Sequence, residues 1–374
     1  MSTPIVPMAD LAAQVASLSP ELEEAVLGVL RSGAYILGDT VSTFERAMAD
    51  YSGAAHGIGV GNGTDALFLA LLALGVGPGD EVVTPAFTFV ATVETVALLG
   101  ATPVFADIDP VSYTLDPDDV ARKMTERTKV VLPVHLFGQA ADLDRLESIA
   151  GPRGASLLAD GAQSAGTGYR GVPVATRTPL TTLSFYPTKN LGAAGDGGMV
   201  LANTDDLAQR LRLLRFHGSS GTYDYREVGV CSRLDALQAA ILSVKLARLE
   251  AWNDARRANA AYYHGAFTGI DGLTLPFERC GDRHTYHQYT VRVGQGRRDA
   301  LKQHLAERGI ASGVFYPVAL HLAPAYRERH GGRPGDHPES ERACAEVLSL
   351  PVFPELESAK RESVADAVRS FFNA

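Results

Sequence analysis

The sequence has few cysteines and lacks long apolar or basic runs. Its three cysteines, Cys231, Cys280 and Cys344, are widely spaced, so they indicate neither a disulfide framework nor a metal site. No stretch of about 20 apolar residues could span a bilayer, and residues 1–7 lack the basic and apolar regions of a signal peptide. A net charge of -9 without a Lys/Arg-rich run disfavours nucleic acid and anionic membranes as partners. These absences favour a protein of the reducing cytoplasm.

The length and composition are those of a globular chain with one large or two medium domains, since 46% of the 374 residues are hydrophobic and 21% are charged. A helical pattern with almost no breakers extends from Leu234 to about Tyr263. We expect this helix to link a large domain over residues 1–250, including the N-terminal segment, to a small α+β domain over residues 251–374. In the small domain, Tyr289–Val293 is the clearest strand, and residues 331–335 form a plausible exposed loop.

Short apolar runs alternate with helical segments between Asn62 and about Val200, which predicts the α/β class with a mainly parallel sheet covered on both faces. Residues 66–74 are apolar all round, so this helix should be buried, and a second helix is expected over residues 89–99. Ligands of such sheets bind beyond the carboxyl ends of the strands. The expected strands are Glu81–Thr84, Pro103–Ala106, Val130–Val134, Ser156–Ala159, Leu183–Tyr186 and Gly198–Leu201.

The segment Gly61–Asp65 precedes the buried helix and is a candidate phosphate site. A helix N-terminus presents unpaired N–H groups and the positive end of the helix dipole. Gly63 would allow close approach of the backbone, and the Thr64 hydroxyl would add a donor. The same residues also suit an ordinary N-cap formed by Asn62 or Thr64, so both interpretations stand at this point.

Asp160 ends an apolar strand, where sites of α/β proteins form. Burying an ionised carboxylate is costly unless it has a partner, and a protonated pyridine nitrogen is such a partner. Gln163 follows three residues later and could reach a ring from the same side. The alternatives are a turn or cap role for Asp160 and a surface position for Gln163.

Lys189 lies in the segment Ser184–Gly192, where an expected strand gives way to a tight loop that continues into Gly195–Gly198. A lysine held in such a turn can lose its charge by desolvation and act as a nucleophile. The alternative is a solvated turn lysine, and the surroundings of Lys189 rather than the lysine itself favour the nucleophile.

The chain resembles the DegT/DnrJ/EryC1/StrS family of sugar aminotransferases, which depend on pyridoxal 5′-phosphate (PLP) and have the aspartate-aminotransferase-like fold, PLP fold type I. The matching motifs occur in family order over nearly the whole chain. They are Tyr35–Gly38, Gly61–Leu67, Thr84–Thr92, Asp160–Gln163, Ser184–Lys189, Ser232–Ala240 and Tyr316–Pro317.

The resemblance implies a role for each motif. Lys189 would form the Schiff base with PLP and move the proton during amino transfer, and Asp160 would pair with the pyridinium nitrogen. Gln163 would contact the ring hydroxyl, and Phe89 would stack on the ring. The residues implied to hold the phosphate are Gly63, Thr64 and Ser184. Family members are homodimers whose sites borrow a loop from the partner, here the one before Ser232.

The chain departs from the family pattern at two positions. Cys231 stands where an asparagine amide often donates to the phosphate across the dimer interface, and a thiol is a weaker donor. Another donor, such as Ser232, could serve the phosphate instead. Phe315 stands where His or Tyr often precedes Tyr316. The residues expected to select the substrate are Arg233, Tyr316 and His321, with Arg233 able to pair with a carboxylate or diphosphate or with a structural carboxylate.

The expected reaction moves an amino group from glutamate to the ketone of a nucleotide-linked hexose. The motif variants are most similar to members that aminate C3 of a UDP- or dTDP-hexose, among them UDP-2-acetamido-3-keto-glucuronate enzymes. The alternatives are a PLP-dependent sugar dehydratase, in whose sequences a His stands at the lysine position, and a non-catalytic regulatory or binding protein of this fold. An NAD-binding protein is a weaker alternative, because no Gly-x-Gly-x-x-Gly follows a first strand.

Overall fold

A computed structural model describes residues 6–373, so part of the segment on which the signal-peptide expectation rests lies outside the described residues. The helices are α1 (Leu11–Ser17), α2 (Glu21–Ser32), α3 (Gly38–Ser52), α4 (Gly63–Ala73), α5 (Ala91–Leu98), α6 (Pro117–Lys123), α7 (Leu143–Ala150), α8 (Asp205–Leu214), α9 (Ala236–Phe267), α10 (Arg298–Glu307), α11 (Pro324–His330), α12 (Pro338–Glu346) and α13 (Ser358–Phe372). Short 3-10 helices cover Leu136–Gly138, Gly151–Arg153, Val174–Arg177 and Leu320–Leu322.

The strands are β1 (His56–Val60), β2 (Glu81–Pro85), β3 (Thr102–Ala106), β4 (Thr128–Val131), β5 (Ser156–Asp160), β6 (Gly168–Tyr169), β7 (Val172–Pro173), β8 (Leu180–Ser184), β9 (Gly198–Ala202), β10 (Ser219–Gly221), β11 (Asp224–Tyr225), β12 (Leu273–Thr274), β13 (Tyr289–Val293) and β14 (Val347–Leu350). Seven of them form the central sheet in the order β1-β9-β8-β5-β4-β2-β3. Only β9 is antiparallel to its neighbours in this sheet, which confirms the predicted mainly parallel α/β fold.

The return of the chain from β8 to β9 explains the one antiparallel strand. Ser184 at the end of β8 pairs with Gly198 at the beginning of β9. Residues 185–197 therefore leave and re-enter the sheet at the same edge, next to the carboxyl end of β5, which is parallel to β8. The glycine-rich loop predicted around Lys189 is thereby placed where parallel sheets bind ligands.

Helix α4 is buried, as its apolar sequence predicts. Leu67, Leu69 and Leu71 are at most 2% exposed and pack in a core with residues of the central sheet. The helix begins three residues before the predicted apolar run because the Asn62 side chain caps it, accepting a hydrogen bond from Asp65 N at 2.8 Å. The capping interpretation of this segment is therefore correct for Asn62.

Half of the strands within residues 6–373 were not predicted; they are β1, β6, β7, β10, β11, β12 and β14. Strand β1 contains two glycines, which are unfavourable in strands, but packing requires a glycine here. A Cβ atom at Gly57 would lie 2.5 Å from the backbone oxygen of Glu45 in α3. The contact that favours glycine in β1 thus comes from a helix earlier in the chain, and the local sequence pattern does not predict this strand.

A second sheet, β12-β13-β14, forms with α9, α10 and α13 another apolar core. Val6 packs in this core, and its backbone pairs with Ile310. The domain boundary expected at residue 250 falls inside α9, which continues through it, and the division stays a prediction. No helix within residues 6–373 combines the length and apolar character needed to cross a lipid bilayer.

A buried ion pair fixes the position of β1. Glu45 of α3 pairs with Arg215, and both side chains are about one-tenth exposed. Glu45 Oε1 also accepts a hydrogen bond from Gly59 N at 2.7 Å, and Arg215 donates to Gly59 O at 2.7 Å. The two charges therefore satisfy the backbone N–H and C=O of one residue of an edge strand.

We expect Glu45→Ala to lower the free energy of unfolding by about 3–5 kcal/mol, because the buried guanidinium of Arg215 would lose its partner. Urea titration followed by circular dichroism would measure the change. Arg46→Ala is the matched control, since Arg46 is the exposed neighbour on the same helix. A loss below about 1 kcal/mol, the size typical of an exposed pair, would contradict the role given to Glu45.

Candidate active site

A cavity of about 540 Å³ lies at the carboxyl ends of β5 and β8. The beginning of α4, the loop after β8 and residues 287–288 and 315–316 contribute to its walls. Most of the predicted site residues meet here, although the sequence separates them by up to about 250 positions. Those that line the cavity are Gly63, Thr64, Phe89, Asp160, Gln163, Ser184, Lys189 and Tyr316.

The Asp160 carboxyl is buried at the end of β5. Its Oδ2 accepts a hydrogen bond from Thr92 Oγ1 at 2.8 Å, and its Oδ1 accepts one from Ala162 N at 3.1 Å. Burial raises the pKa of Asp160, while these hydrogen bonds and the charge of Lys189 act in the opposite direction. A cationic ring nitrogen placed in the cavity would stabilise the ionised form of this buried carboxyl, so Asp160 fits the pyridinium of PLP.

Lys189 reaches the cavity from the turn that follows β8. Its backbone N–H donates to Tyr186 O at 2.8 Å. Burial lowers the pKa of Lys189 to about 8, and the charge of Asp160 opposes this shift. More of the amine is therefore unprotonated near neutral pH than in an exposed lysine, and the unprotonated form is the one that condenses with an aldehyde.

Helix α9 holds the loop that carries Lys189. The buried Lys245 donates to Gly192 O at 2.8 Å, and Gln238 Oε1 accepts from Ala194 N at 2.9 Å. Neither side chain was given a role from the sequence. Gln238 belongs to the quoted motif Ser232–Ala240, whereas nothing distinguishes Lys245 within its unbroken helical pattern. They fix both the middle and the end of the loop.

The beginning of α4 can hold an anion. The Asn62 side chain uses the N–H of Asp65, but helix geometry leaves the N–H groups of the first turn at Gly63 and Thr64 without intrahelical acceptors. A Cβ atom at Gly63 would lie 2.7 Å from Ser184 Cβ. Glycine is therefore required for the approach of Ser184, whose hydroxyl lines the cavity with that of Thr64. These donors and the helix dipole suit a phosphate.

Gln163, Tyr316 and Phe89 form another wall. Gln163 Oε1 accepts from Phe137 N at 2.6 Å, and its Nε2 donates to Tyr316 Oη at 3.2 Å. The orientation of this amide is thereby fixed. Phe89 is 53% exposed, and its ring centroid lies 5.8 Å from that of Tyr316. An aromatic ring entering the cavity would find Phe89 at its mouth.

Several residues in or beside the cavity had no predicted role. Thr92 orients Asp160 and is itself 3.0 Å from the Thr88 hydroxyl, and both belong to the quoted motif Thr84–Thr92, which could have identified them. Further polar side chains that line the cavity are those of Tyr186, Thr188, Asp196, His287 and Gln288. Nothing in the sequence around His287 distinguishes it from a core histidine.

Three predicted residues do not line the cavity of their own chain. Cys231 is exposed, and the Arg233 guanidinium lies 5.2 Å from the centroid of the Phe216 ring. His321 is buried, with Nε2 at 3.1 Å from Glu341 Oε1 and its ring packed against that of His337. Glu341 therefore gives Nε2 a partner within the chain, whereas the buried Nδ1 has none among residues 6–373.

A second cavity, of about 360 Å³, lies near Tyr51 and Arg283. Its charged groups are bonded to one another, since Glu250 accepts from Tyr51 Oη at 2.9 Å and pairs with Arg283 at 2.7 Å. No lysine reaches it, so it does not offer the chemistry of the first cavity.

Comparison with known proteins agrees with this geometry. A "Pleiotropic regulatory protein" of Geobacillus stearothermophilus is 47% identical over 369 residues, covering 98% of each chain. A "UDP-2-acetamido-2-deoxy-3-oxo-D-glucuronate aminotransferase" of Pseudomonas aeruginosa is 42% identical over 360 residues, covering 96% of this chain and 98% of the relative. The crystal structure of S. venezuelae DesV in complex with a ketimine intermediate is 42% identical and superposes over 100% of both chains with a TM-score of 0.96. The model of the DegT/DnrJ/EryC1/StrS aminotransferase family matches residues 17–369, and the chain belongs to this family.

Proposed function

We propose that the protein is a PLP-dependent aminotransferase that transfers an amino group from glutamate to the ketone of a nucleotide-linked hexose. The observation that carries the proposal is the shared cavity of Lys189, Asp160 and the beginning of α4. These three elements match the aldehyde, the ring nitrogen and the phosphate of PLP. Membership of an aminotransferase family supports the reaction type.

When bound, the cofactor supplies an electron sink for the carbanion formed at the substrate carbon. Lys189 holds the cofactor and, once displaced by the amino donor, takes a proton from the donor Cα through Nζ. Asp160 keeps the ring nitrogen protonated, and Thr92 orients the carboxylate that does so. Gln163 and Tyr316 present polar groups at the opposite wall for the ring hydroxyl.

For the acceptor, we propose C3 of a UDP- or dTDP-linked keto-hexose, with a UDP-2-acetamido-3-keto-glucuronate as one specific candidate. The name of the Pseudomonas relative supports this choice. Arg233 could read the sugar carboxylate or the diphosphate, since a guanidinium binds either with two hydrogen bonds. We propose the cytoplasm, where nucleotide sugars are made, as the location.

The name of the Geobacillus relative favours a second candidate, a regulatory protein of this fold. A regulatory protein need not catalyse a reaction. It would therefore have no need of a lysine with a lowered pKa in the same cavity as a buried carboxyl. A dehydratase on this scaffold is disfavoured because Lys189 stands where those enzymes have a histidine.

We further propose a homodimer in which each chain completes the partner's site. Apolar side chains are exposed along residues 216–228, including Val228 at 92% and Tyr223 at 84%. Ile36 is also exposed, and its backbone pairs with Asp235, seven positions after this region. A concentration of exposed apolar residues marks an interface, and Cys231 is next to it because its backbone pairs with Phe216.

Lys189→Ala should abolish amino transfer while the protein stays folded, because no other amine can hold the cofactor aldehyde or move the proton. Activity would be measured with glutamate and a panel of UDP- and dTDP-linked keto-hexoses. Borohydride reduction followed by peptide mass spectrometry should attach the cofactor to Lys189 in the wild type.

Lys302→Ala, at an exposed lysine, is the control and should behave as the wild type. Turnover retained by Lys189→Ala, or a reduced adduct on another lysine, would refute the assignment. A coloured, reducible wild type that turns over no sugar in the panel would support the regulatory candidate.

Asp160→Asn should bind the cofactor weakly and lose turnover by at least about 100-fold, because an amide cannot stabilise a protonated ring nitrogen. Steady-state kinetics and cofactor titration would measure both effects. Thr92→Val serves for comparison, since it removes one hydrogen bond to Asp160 and keeps the charge, so its loss should be smaller. A turnover number near that of the wild type in Asp160→Asn would leave Asp160 only a structural role.

A mixed dimer of one Lys189→Ala chain and one Arg233→Glu chain should recover about half of the wild-type activity. If the loop acts across the interface, one site of this dimer carries both defects and the other carries neither. Differently tagged chains, purified as the mixed species, would be assayed beside each parent dimer. If the loop serves its own chain, each site has one defect and no activity returns.

A further inference from the structure

Two amides and one imidazole form a hydrogen-bonded chain beside Lys189. Asn253 of α9 donates through Nδ2 to Ala165 O at 3.0 Å. Asn190 donates through Nδ2 to Asn253 Oδ1 at 2.8 Å, and its own Oδ1 lies 3.1 Å from His287 Nδ1. We call Asn253, Asn190 and His287 the amide chain. It joins α9, the loop that carries Lys189 and the segment before β13.

Two backbone carbonyls fix the direction of the amide chain. Ala165 O and Thr285 O can only accept, and Asn190 Nδ2 also donates to Thr285 O at 3.1 Å. Rotating either amide by 180° would set its oxygen against a carbonyl oxygen. Asn190 Oδ1 must therefore face His287, and the proton of the imidazole must be on Nδ1.

The other ring nitrogen, Nε2, is then an acceptor with a free lone pair. Burial lowers the pKa of His287 well below its usual value, and the positive charges of Lys189 and Arg256 act in the same direction. The His287 ring lines the cavity together with Lys189. Among residues 6–373, the only side-chain hydrogen bond of His287 is the one at Nδ1, so Nε2 has no partner.

We propose that His287 is a positioning residue for Lys189, whose free amino group donates a hydrogen bond to the unprotonated Nε2 while the lysine is displaced from the cofactor. The inference rests on the proposed function. A primary amine rotates freely about its C–N bond, and one fixed N–H restricts the direction of its lone pair. That lone pair is what takes the proton from the substrate carbon.

The direction of the amide chain matters for this role. An imidazole with its proton on Nε2 would donate to the amine and occupy the lone pair that the reaction needs. An imidazolium would do the same and would also repel the protonated amine. Because Asn190 Oδ1 holds the proton on Nδ1, the Nε2 atom of His287 can only accept a hydrogen bond from the amine. The Lys189 lone pair therefore stays available for the substrate.

Two substitutions separate the nitrogens of His287. In His287→Asn, the amide nitrogen lies near the position of Nδ1, so the bond to Asn190 is kept and the acceptor is lost. In His287→Gln, the amide oxygen reaches the position of Nε2, so an acceptor is kept and the bond to Asn190 is lost. Neither variant alters the other ionisable groups that line the cavity, Asp160, Tyr186, Asp196 and Tyr316, or the neighbouring Arg256.

The measurement is the pKa of Lys189 by competitive acetylation and peptide mass spectrometry across a pH series. The enzyme would be used in its pyridoxamine-phosphate form, in which the lysine is a free amine. His287→Asn should lower the Lys189 pKa by about one unit, because the protonated amine loses an acceptor. His287→Gln should remain close to the wild type.

His284→Asn is the matched control, since His284 is buried in the same segment but does not line the cavity, and it should leave the Lys189 pKa unchanged. Equal profiles for wild type and both His287 variants would overturn the proposal. A shift in His287→Gln alone would do so too, because it would assign His287 to holding Asn190.

Borohydride trapping distinguishes failure of this inference from failure of the proposed function. The cofactor should be reduced onto Lys189 in the wild type and in both His287 variants. A wild type without this adduct refutes the proposed function. If all three proteins form the adduct but the Lys189 pKa is not lower in His287→Asn than in His287→Gln, only the role of His287 is refuted.

Discussion

The active site depends on two opposite charges that are held out of water at the ends of adjacent strands. Because β5 and β8 are parallel neighbours, their carboxyl ends share one edge of the sheet, and Asp160 and Lys189 face the same cavity. Burial raises the pKa of the acid and lowers that of the amine. A ligand with a cationic ring nitrogen would stabilise the ionised Asp160, and its aldehyde would react with the unprotonated amine of Lys189. The antiparallel return through β9 keeps the lysine loop at this edge.

The sequence indicates much of this framework because its signals are local. Short apolar runs that alternate with helical segments predicted β2, β3, β5 and β9, and the motifs identified Asp160 and Lys189 as candidates. Where a contact with a distant segment decides the structure, the predictions from sequence are wrong or absent. The run expected to reach Tyr186 ends as a strand at Ser184, because the chain turns into the cavity there and leaves Tyr186 55% exposed. Strand β1 exists through its contacts with α3 and β9.

The same distinction applies to the active site. The residues found from sequence act through their own chemistry, as Lys189 does. The residues missed act through others: Thr92 orients an acid 68 positions away, and His287 bonds to an amide 97 positions away. A hydroxyl or an imidazole has no fixed role until its partner is known, since each can donate or accept. The state of His287 follows from two carbonyl oxygens that only the folded chain brings near it.

Ser232 illustrates how a partner decides a role. From the sequence, it could replace the amide missing at Cys231 as a donor to the phosphate of the partner's site. In the folded chain its hydroxyl accepts from Gly61 N at 3.0 Å and donates to Asp65 Oδ2 at 2.6 Å. Reaching a partner's phosphate would leave both groups without these bonds, at about 1 kcal/mol or more each. Ser232 therefore fixes the segment that begins α4 of its own chain, so a contact with a phosphate across the proposed interface would have to come from other groups of the loop.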